Sequence, residues 1–336
     1  MRKFIFAIVL LLGVIYVIAQ FSEVEAIIDT FRRGDWRYLL LAVFVEILWL
    51  FNVAISYKYI FRITGIQEKM EKMLLLGAAA NFANVIAPTA GMSGMAVFIS
   101  EARRRGYSTG RATVGGVLYV LFDYAGFLLI LAFGLIVLFR RNNLNVAEII
   151  ATSILLAAAI VLGFLLYLGT RSGQRLGDFL AKCTRFVNKI FKPFTHRQYL
   201  SEERAYEFAF EASDSLKALE HRRLNLIIPF LLAVSSKVLL MVILLLCFIS
   251  FEVPLTPGTL VAGFSLGYLF LIVSPTPAGI GFVEGGLTLA LSSLSIPLGQ
   301  AAVIALSYRG VTFWLPLAFG AYAFRLLTST KVETAL

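Results

Sequence analysis

Five ionisable residues stand inside long apolar runs: Glu46, Asp123, Lys237, Glu284 and Arg309. An unpaired charge is very costly in a medium that cannot solvate it, so residues of this kind pair with one another or face a polar cavity. Lys237 and Arg309 offer counter-charge to an anion. Glu284, Asp123 and Glu46 can neutralise those bases in an empty site or bind a coupling proton. The same residues could also serve only as ties between helices. Glu284 stands beside a helix break, which favours the functional reading there.

Two breaks interrupt the apolar runs. Residues 274 to 286, SPTPAGIGFVEGG, combine Pro275 and Pro277 with four glycines and Glu284. The prolines remove backbone donors, and Gly279 and Gly281 admit conformations other residues avoid, so the helix entering this stretch is predicted to break at membrane depth. The earlier stretch APTAGMSG carries Pro88, Gly91 and Gly94. Pro88, Gly91, Pro277 and Gly279 are expected to shape the backbone and bind through it. Helices restarting after Gly94 and Gly281 would direct amide dipoles toward the midplane, a cradle suited to an anion. An offset of 189 places Pro88 on Pro277, Gly110 on Gly299, Ala112 on Ala301 and Tyr119 on Tyr308, which reads as an internal repeat.

The elements that position these residues are membrane helices. The chain has 336 residues, 59% of them hydrophobic, and several runs reach spanning length, so the fold class is an all-α polytopic membrane protein. Its net charge of +10 lies mainly in loops between apolar runs, which points to an anionic membrane surface and away from nucleic acid. Two cysteines and two histidines provide no metal-ligand spacing, no disulfide is expected, and no cofactor is implied. No Gly-x-x-x-x-Gly-Lys-Ser/Thr loop is present, so direct use of ATP is not indicated.

Residues 4–19 read as a retained first span, because Val17-Ile18-Ala19 is a poor cleavage site. Further spans are expected at about 38–57, 109–139, 146–169, 224–251 and 298–326. The run from Met73 to Ala87 would extend about 22 Å as a helix, against a hydrocarbon core of about 30 Å. It is therefore predicted to turn back as a re-entrant hairpin toward Arg103, Arg104 and Arg105, and residues 259–294 to form a second hairpin from the other side. The whole is about six full spans plus two re-entrant hairpins in one integral membrane domain, 1–336, with inverted repeats at about 38–139 and 224–326. Full crossing by residues 73–87 is the competing topology, and it would force the basic loop outside. Residues 170–223 hold eleven Lys/Arg against seven Asp/Glu and are expected to be a cytoplasmic insertion, as are both termini. Within it, apolar residues from Leu176 to Phe194 recur at helical spacing beside a stripe of Lys182, Arg185, Lys189 and Lys192. That helix either lies on anionic inner-leaflet lipids or packs on its neighbours. Arg140 and Arg141 fall outside in this topology, against the charge rule.

These stretches, with the Tyr119 to Asp123 region and SYRGVTFW at 307–314, resemble the lysylphosphatidylglycerol synthase transmembrane-region family of flippase-like proteins over roughly residues 4 to 328. The family motif of the PxPGGxGxxE type is matched by Pro275, Pro277, Gly279, Gly281 and Glu284, with Ala278 replacing a glycine. Arg309 matches an arginine of the last span and Asp123 an acidic position of an earlier one. The first motif departs, because Ser93, Gly94 and Met95 leave no acid beside the break. The resemblance implies lipid translocation across a plasma or inner membrane and a substrate with a phosphate headgroup: an aminoacyl-phospholipid, an anionic phospholipid or a polyprenyl-phosphate carrier. The substrate-binding set it implies, with the readings above, is Pro88, Gly91, Gly94, Asp123, Lys237, Pro275, Pro277, Gly279, Gly281, Glu284 and Arg309. It implies no enzyme activity, since the soluble aminoacyl-transferring domain of bifunctional members is not expected here. The alternatives are a non-transporting partner of a separate lipid-modifying enzyme, or a membrane-embedded enzyme of that kind.

Overall fold

The computed structural model describes residues 32, 34–86, 92–141, 146–195, 201–220, 226–274, 276 and 279–333. The expected first span at 4–19 lies outside them, as do Pro88, Gly91, Pro275, Pro277, both histidines and both termini. Twelve α-helices occur among the described residues: α1 (Trp36–Ile63), α2 (Met70–Ile86), α3 (Met92–Arg104), α4 (Thr109–Arg140), α5 (Val146–Arg171), α6 (Gly173–Thr195), α7 (Glu202–Glu220), α8 (Ile227–Ser250), α9 (Pro257–Val273), α10 (Phe282–Ser293), α11 (Leu298–Arg309) and α12 (Leu315–Glu333). A π-helical turn, Gly310–Trp314, joins the last two.

Five helical segments are long and apolar enough to cross a bilayer: Trp36–Ile63, Thr109–Arg140, Thr152–Arg171, Ile227–Ser250 and Leu298–Leu327. They coincide with the five expected spans that fall among the described residues. Their outer surfaces are built for hydrocarbon: α5 exposes Ile150, Ile154, Leu156, Ile160, Val161 and Phe164, and α1 exposes Leu40, Leu41, Phe44, Ile47 and Phe51. An apolar surface of that extent is unsuited to water.

Capping residues start the helices where local chemistry allows. Asp35 Oδ1 accepts from Arg37 N–H at 2.9 Å at the start of α1. Thr256 accepts from Thr259 N–H at 3.1 Å at the start of α9, with Pro257 in the first turn where its missing donor costs nothing. The Asp35 amide also donates to the Ser250 carbonyl at 2.9 Å, so α1 and α8 run antiparallel with the start of one beside the end of the other.

The two short helix pairs fold back at opposite ends of the bundle. Lys72, near the start of α2, pairs with Glu101, near the end of α3, at 2.8 Å. Arg105 just beyond α3 pairs with Glu68 at 2.8 Å, which puts the open end of this pair beside the start of α4. The α9–α10 pair instead gathers Ala262, Ala290 and Leu294 around Leu138, near the end of α4. At 1.5 Å per residue, the 17 residues of α2 reach about 25 Å and the 32 of α4 about 48 Å. The tip of each short pair therefore comes near the middle of α4, where Asp123 lies.

The main core packs residues of α1, α4, α8, α9, α10 and α11, among them Phe127, Leu244, Phe248, Phe264, Leu287 and Ile304. A second core surrounds the first hairpin, where Tyr57 stacks between Tyr119 and Phe98 with ring centroids 3.8 and 4.2 Å away. Arg141, which opposes the charge rule in the expected topology, has a local role. Its guanidinium donates to Thr259 Oγ1 at 3.2 Å and Thr256 Oγ1 at 3.0 Å, joining the end of α4 to the start of α9.

The polar pair α6–α7 packs on α4 and α5. Leu176 joins Ala209, Ala212 and Leu216 in a small apolar cluster, so the first part of α6 uses its apolar face against neighbours. Glu211 of α7 accepts from Ser108 Oγ at 2.7 Å and from the Gly110 amide at 2.9 Å, clasping the start of α4. Those donors, Ser108 first, hold its carboxyl below the usual glutamate value.

Candidate functional site

Asp123, Lys237 and Arg309 meet around one cavity of about 370 Å³, lined by α1, α2, α4, α8, α9, α10 with the turn before it, and α11 with its π turn. Lys237 of α8 is 1% exposed, and its Nζ donates to Asp123 Oδ1 of α4 at 2.5 Å. It also donates to Tyr268 Oη, and Tyr268 in turn donates to Asp123 Oδ2 at 3.2 Å, closing a triangle over α4, α8 and α9. The Asp123 side chain keeps 21% exposure against 1% for Lys237, and both line the cavity.

The second pair is set by the α9–α10 break. Ser274, Thr276 and Ile280 build a tight turn in which Thr276 N–H donates to Ser274 Oγ at 3.2 Å and Thr276 Oγ1 to the Ile280 carbonyl at 3.1 Å. Gly279 and Gly281 both have positive φ, 75° and 73°. Gly281 is the N-cap residue of α10 and brings Glu284 into its first turn, where the helix dipole favours a carboxylate. Arg309 Nε donates to Glu284 Oε1, and the guanidinium lies 4.3 Å from the centroid of the Phe313 ring. The π turn begins at the residue after Arg309, and Thr312 Oγ1 donates to the Tyr308 carbonyl at 2.8 Å inside it. The single long span expected at 298–326 is thus divided into α11, the π turn and α12, and such turns recur at functional sites. Arg309, Thr312 and Phe313 all reach the cavity wall.

Of the expected site residues, Asp123, Lys237, Gly279 and Arg309 line the cavity. Glu284 stands behind Arg309 as its partner, with Oε2 buried and unbonded among the described residues. Gly281 shapes the start of α10. Gly94 requires a correction: α3 begins at Met92, so Gly94 lies within its first turn rather than before it. Its amide donates to Asn84 Oδ1 of α2 at 2.6 Å, so it ties the hairpin together instead of offering a free donor. A Cβ there would come within 2.9 Å of the Ala80 carbonyl, which explains the glycine. Glu46 is fully buried, with neither carboxylate oxygen bonded among the described residues.

Sequence reasoning passed over several wall residues: Asn81 and Asn84 of α2, Tyr57, Tyr124, Tyr268 and Thr276. Their signal was present, since two asparagines three apart on a small-residue helix, and tyrosines within apolar spans, all mark one polar face. Among the described residues no three His, Cys, Asp or Glu come together in a way that could hold a metal ion.

Apolar helices of spanning length define a multi-pass membrane protein, and among them two ion pairs stand at one cavity. The chain belongs to the family described as the lysylphosphatidylglycerol synthase TM region, which matches residues 4–320. It is 22% identical to a UPF0104 membrane protein of Methanothermobacter thermautotrophicus, over 97% of each chain. It is also 22% identical to a UPF0104 membrane protein of Methanocaldococcus jannaschii, over 97% of this chain and 96% of the relative. No solved structure matches it.

Proposed function

We propose that this protein moves a phosphate-bearing lipid between membrane leaflets, with the headgroup passing through the cavity while the acyl chains stay in hydrocarbon. The observation that carries the reading is the meeting of two ion pairs, part-buried Asp123–Lys237 and buried Glu284–Arg309, at one cavity among the spanning helices. Each pair is neutral when the site is empty, and each holds a cation that could turn to an entering phosphate. A volume of about 370 Å³ suits a headgroup rather than a whole lipid. In this reading the two short helix pairs are re-entrant hairpins from opposite faces and belong to inverted repeats. The near-equal lengths of α2 and α9, 17 residues each, and of α3 and α10, 13 and 12, support that arrangement. The polar helices α6 and α7 then lie at the cytoplasmic face of the cell membrane, where exposed Lys182 and Arg185 meet anionic lipid. The reading assigns transport, not bond chemistry, to the chain.

The test is lipid translocation in proteoliposomes with headgroup-labelled anionic and polyprenyl-phosphate lipids. Wild type is expected to move at least one of them, and Arg309→Ala and Glu284→Gln, checked for folding, to lose the activity. Failure of wild type on every lipid under imposed proton and sodium gradients would overturn the reading in favour of a partner for a lipid-modifying enzyme.

A further inference from the structure

Asp123 faces two spaces. Besides the cavity it borders a narrow crevice of about 10 Å³ between α1, α4 and α8, whose wall also includes Asn52, Ser56, Tyr119 and Ser236. Val53, Tyr119 and Asp123 belong to both walls, so these residues stand between the two. The crevice volume approaches the roughly 10–15 Å³ that one water-sized occupant requires. The residues of its wall carry oxygens of the kind hard cations prefer, one carboxylate, one amide carbonyl and hydroxyls. Ser56 and Ser236 are both 4% exposed. Trp49 Nε1 donates to Ser236 Oγ at 2.8 Å, leaving that oxygen a free lone pair. Asn52 Nδ2 donates to Ser235 Oγ at 2.6 Å, while Asn52 Oδ1 is buried without a partner. An unsatisfied carbonyl on the same wall as a carboxylate suits a cation.

Charge balance identifies what that is. The two ion pairs at the cavity are each neutral, so a monoanionic headgroup entering it would leave the buried site one charge short. A single cation restores neutrality, and with one carboxylate available the charge suits a monovalent ion. We infer that the crevice is a sodium-binding site: Na⁺ enters between Asn52, Ser56 and Ser236 and takes the Asp123 carboxylate from Lys237. The Lys237 ammonium then becomes the partner of the anion in the cavity. Asp123–Lys237 becomes Asp123–Na⁺ and Lys237–anion, with no net charge added to the interior. This rests on the proposed lipid transport for its purpose, but Na⁺ binding is measurable without any transport.

The experiment is a Na⁺ titration of the purified full chain in detergent, with choline holding ionic strength constant, read by thermal unfolding. Wild type is expected to show a saturating rise in midpoint with Na⁺, as a ligand specific to the folded state produces. Asn52→Ala is expected to need about tenfold more Na⁺ or beyond. Asp123→Asn should lose the response, and because it strands Lys237, the double variant Asp123→Asn/Lys237→Met is measured beside it with the same expectation. Equal midpoints in Na⁺ and choline for wild type, or an unchanged response in Asn52→Ala and the double variant, would overturn the inference whether or not lipid moves. A Na⁺ response with these losses, in a protein that translocates no lipid, would uphold the site and reject the transport reading alone.

Discussion

The two short helix pairs make contrasting contributions to one cavity. In α2–α3 the polar groups are neutral: Asn84 accepts the Gly94 amide, and Asn81 and Asn84 line the wall. Its charges, Lys72, Glu101, Arg104 and Arg105, are gathered at the far, open end, where they pair among themselves and with Glu68. In α9–α10 the order is reversed. The break carries Glu284 to the cavity's edge and binds Arg309, while the open end is the apolar cluster around Leu138. One helix pair thus supplies a neutral wall and the other an acid paired with a wall arginine.

The largest expected effect tests the charged hairpin. Glu284→Gln leaves Arg309 without its buried counter-ion and should destabilise the protein by about 3–5 kcal/mol. The double variant Glu284→Gln/Arg309→Met should recover most of that in thermal unfolding, while translocation stays lost. If the double variant is no more stable than the single one, the pair is not the source of the loss.

The neutral hairpin breaks through packing. Gly94→Ala drives a Cβ against the Ala80 carbonyl and the Asn84 amide, for a loss of about 2 kcal/mol. Adding Asn84→Ala should restore only part, because the carbonyl remains. Full recovery would place the whole conflict at Asn84.

Gly281→Ala is expected to be milder, at about 1 kcal/mol. A Cβ there meets nothing within 4 Å, and only the positive φ of 73° opposes it. The unfolding midpoints of Gly281→Ala and Gly94→Ala, measured side by side, sharpen the contrast between a conformational and a steric glycine.

The smallest effect lies outside both hairpins. Glu211 has a lowered pKa, so its clasp on α4 contributes fully above the ordinary glutamate value of 4.5 and is lost as pH falls through the depressed folded value. Glu211→Gln should lower stability by about 0.5 kcal/mol at about pH 7 after solvent screening, read as a slightly lower unfolding midpoint. The two midpoints should converge in acid. Divergence with falling pH would contradict the assignment.

Much of this was legible in the chain itself. Spanning helices follow from apolar runs whose length matches a bilayer, and the five described ones stand where those runs are. That Asp123, Lys237, Glu284 and Arg309 would find charged partners followed from the cost of an unpaired charge in hydrocarbon. Gly94 was harder to place, because a glycine after a proline reads equally as a helix cap or as a close contact, and only the nearby Ala80 carbonyl distinguishes them. The π turn left no mark, since GVTFW has the composition of an ordinary apolar helix.

Residue chemistry and run length therefore determined by themselves that this is a multi-pass helical protein with polar breaks and buried charges, because solvent exclusion acts on each segment separately. Which acid meets which base was decided only by the tertiary structure. Asp123 and Lys237 are 114 residues apart and Glu284 and Arg309 are 25, and no local periodicity encodes such pairings. They depend on how α4, α8, α10 and α11 cross, and that crossing also sets Asp123 between two spaces that no single helix contains.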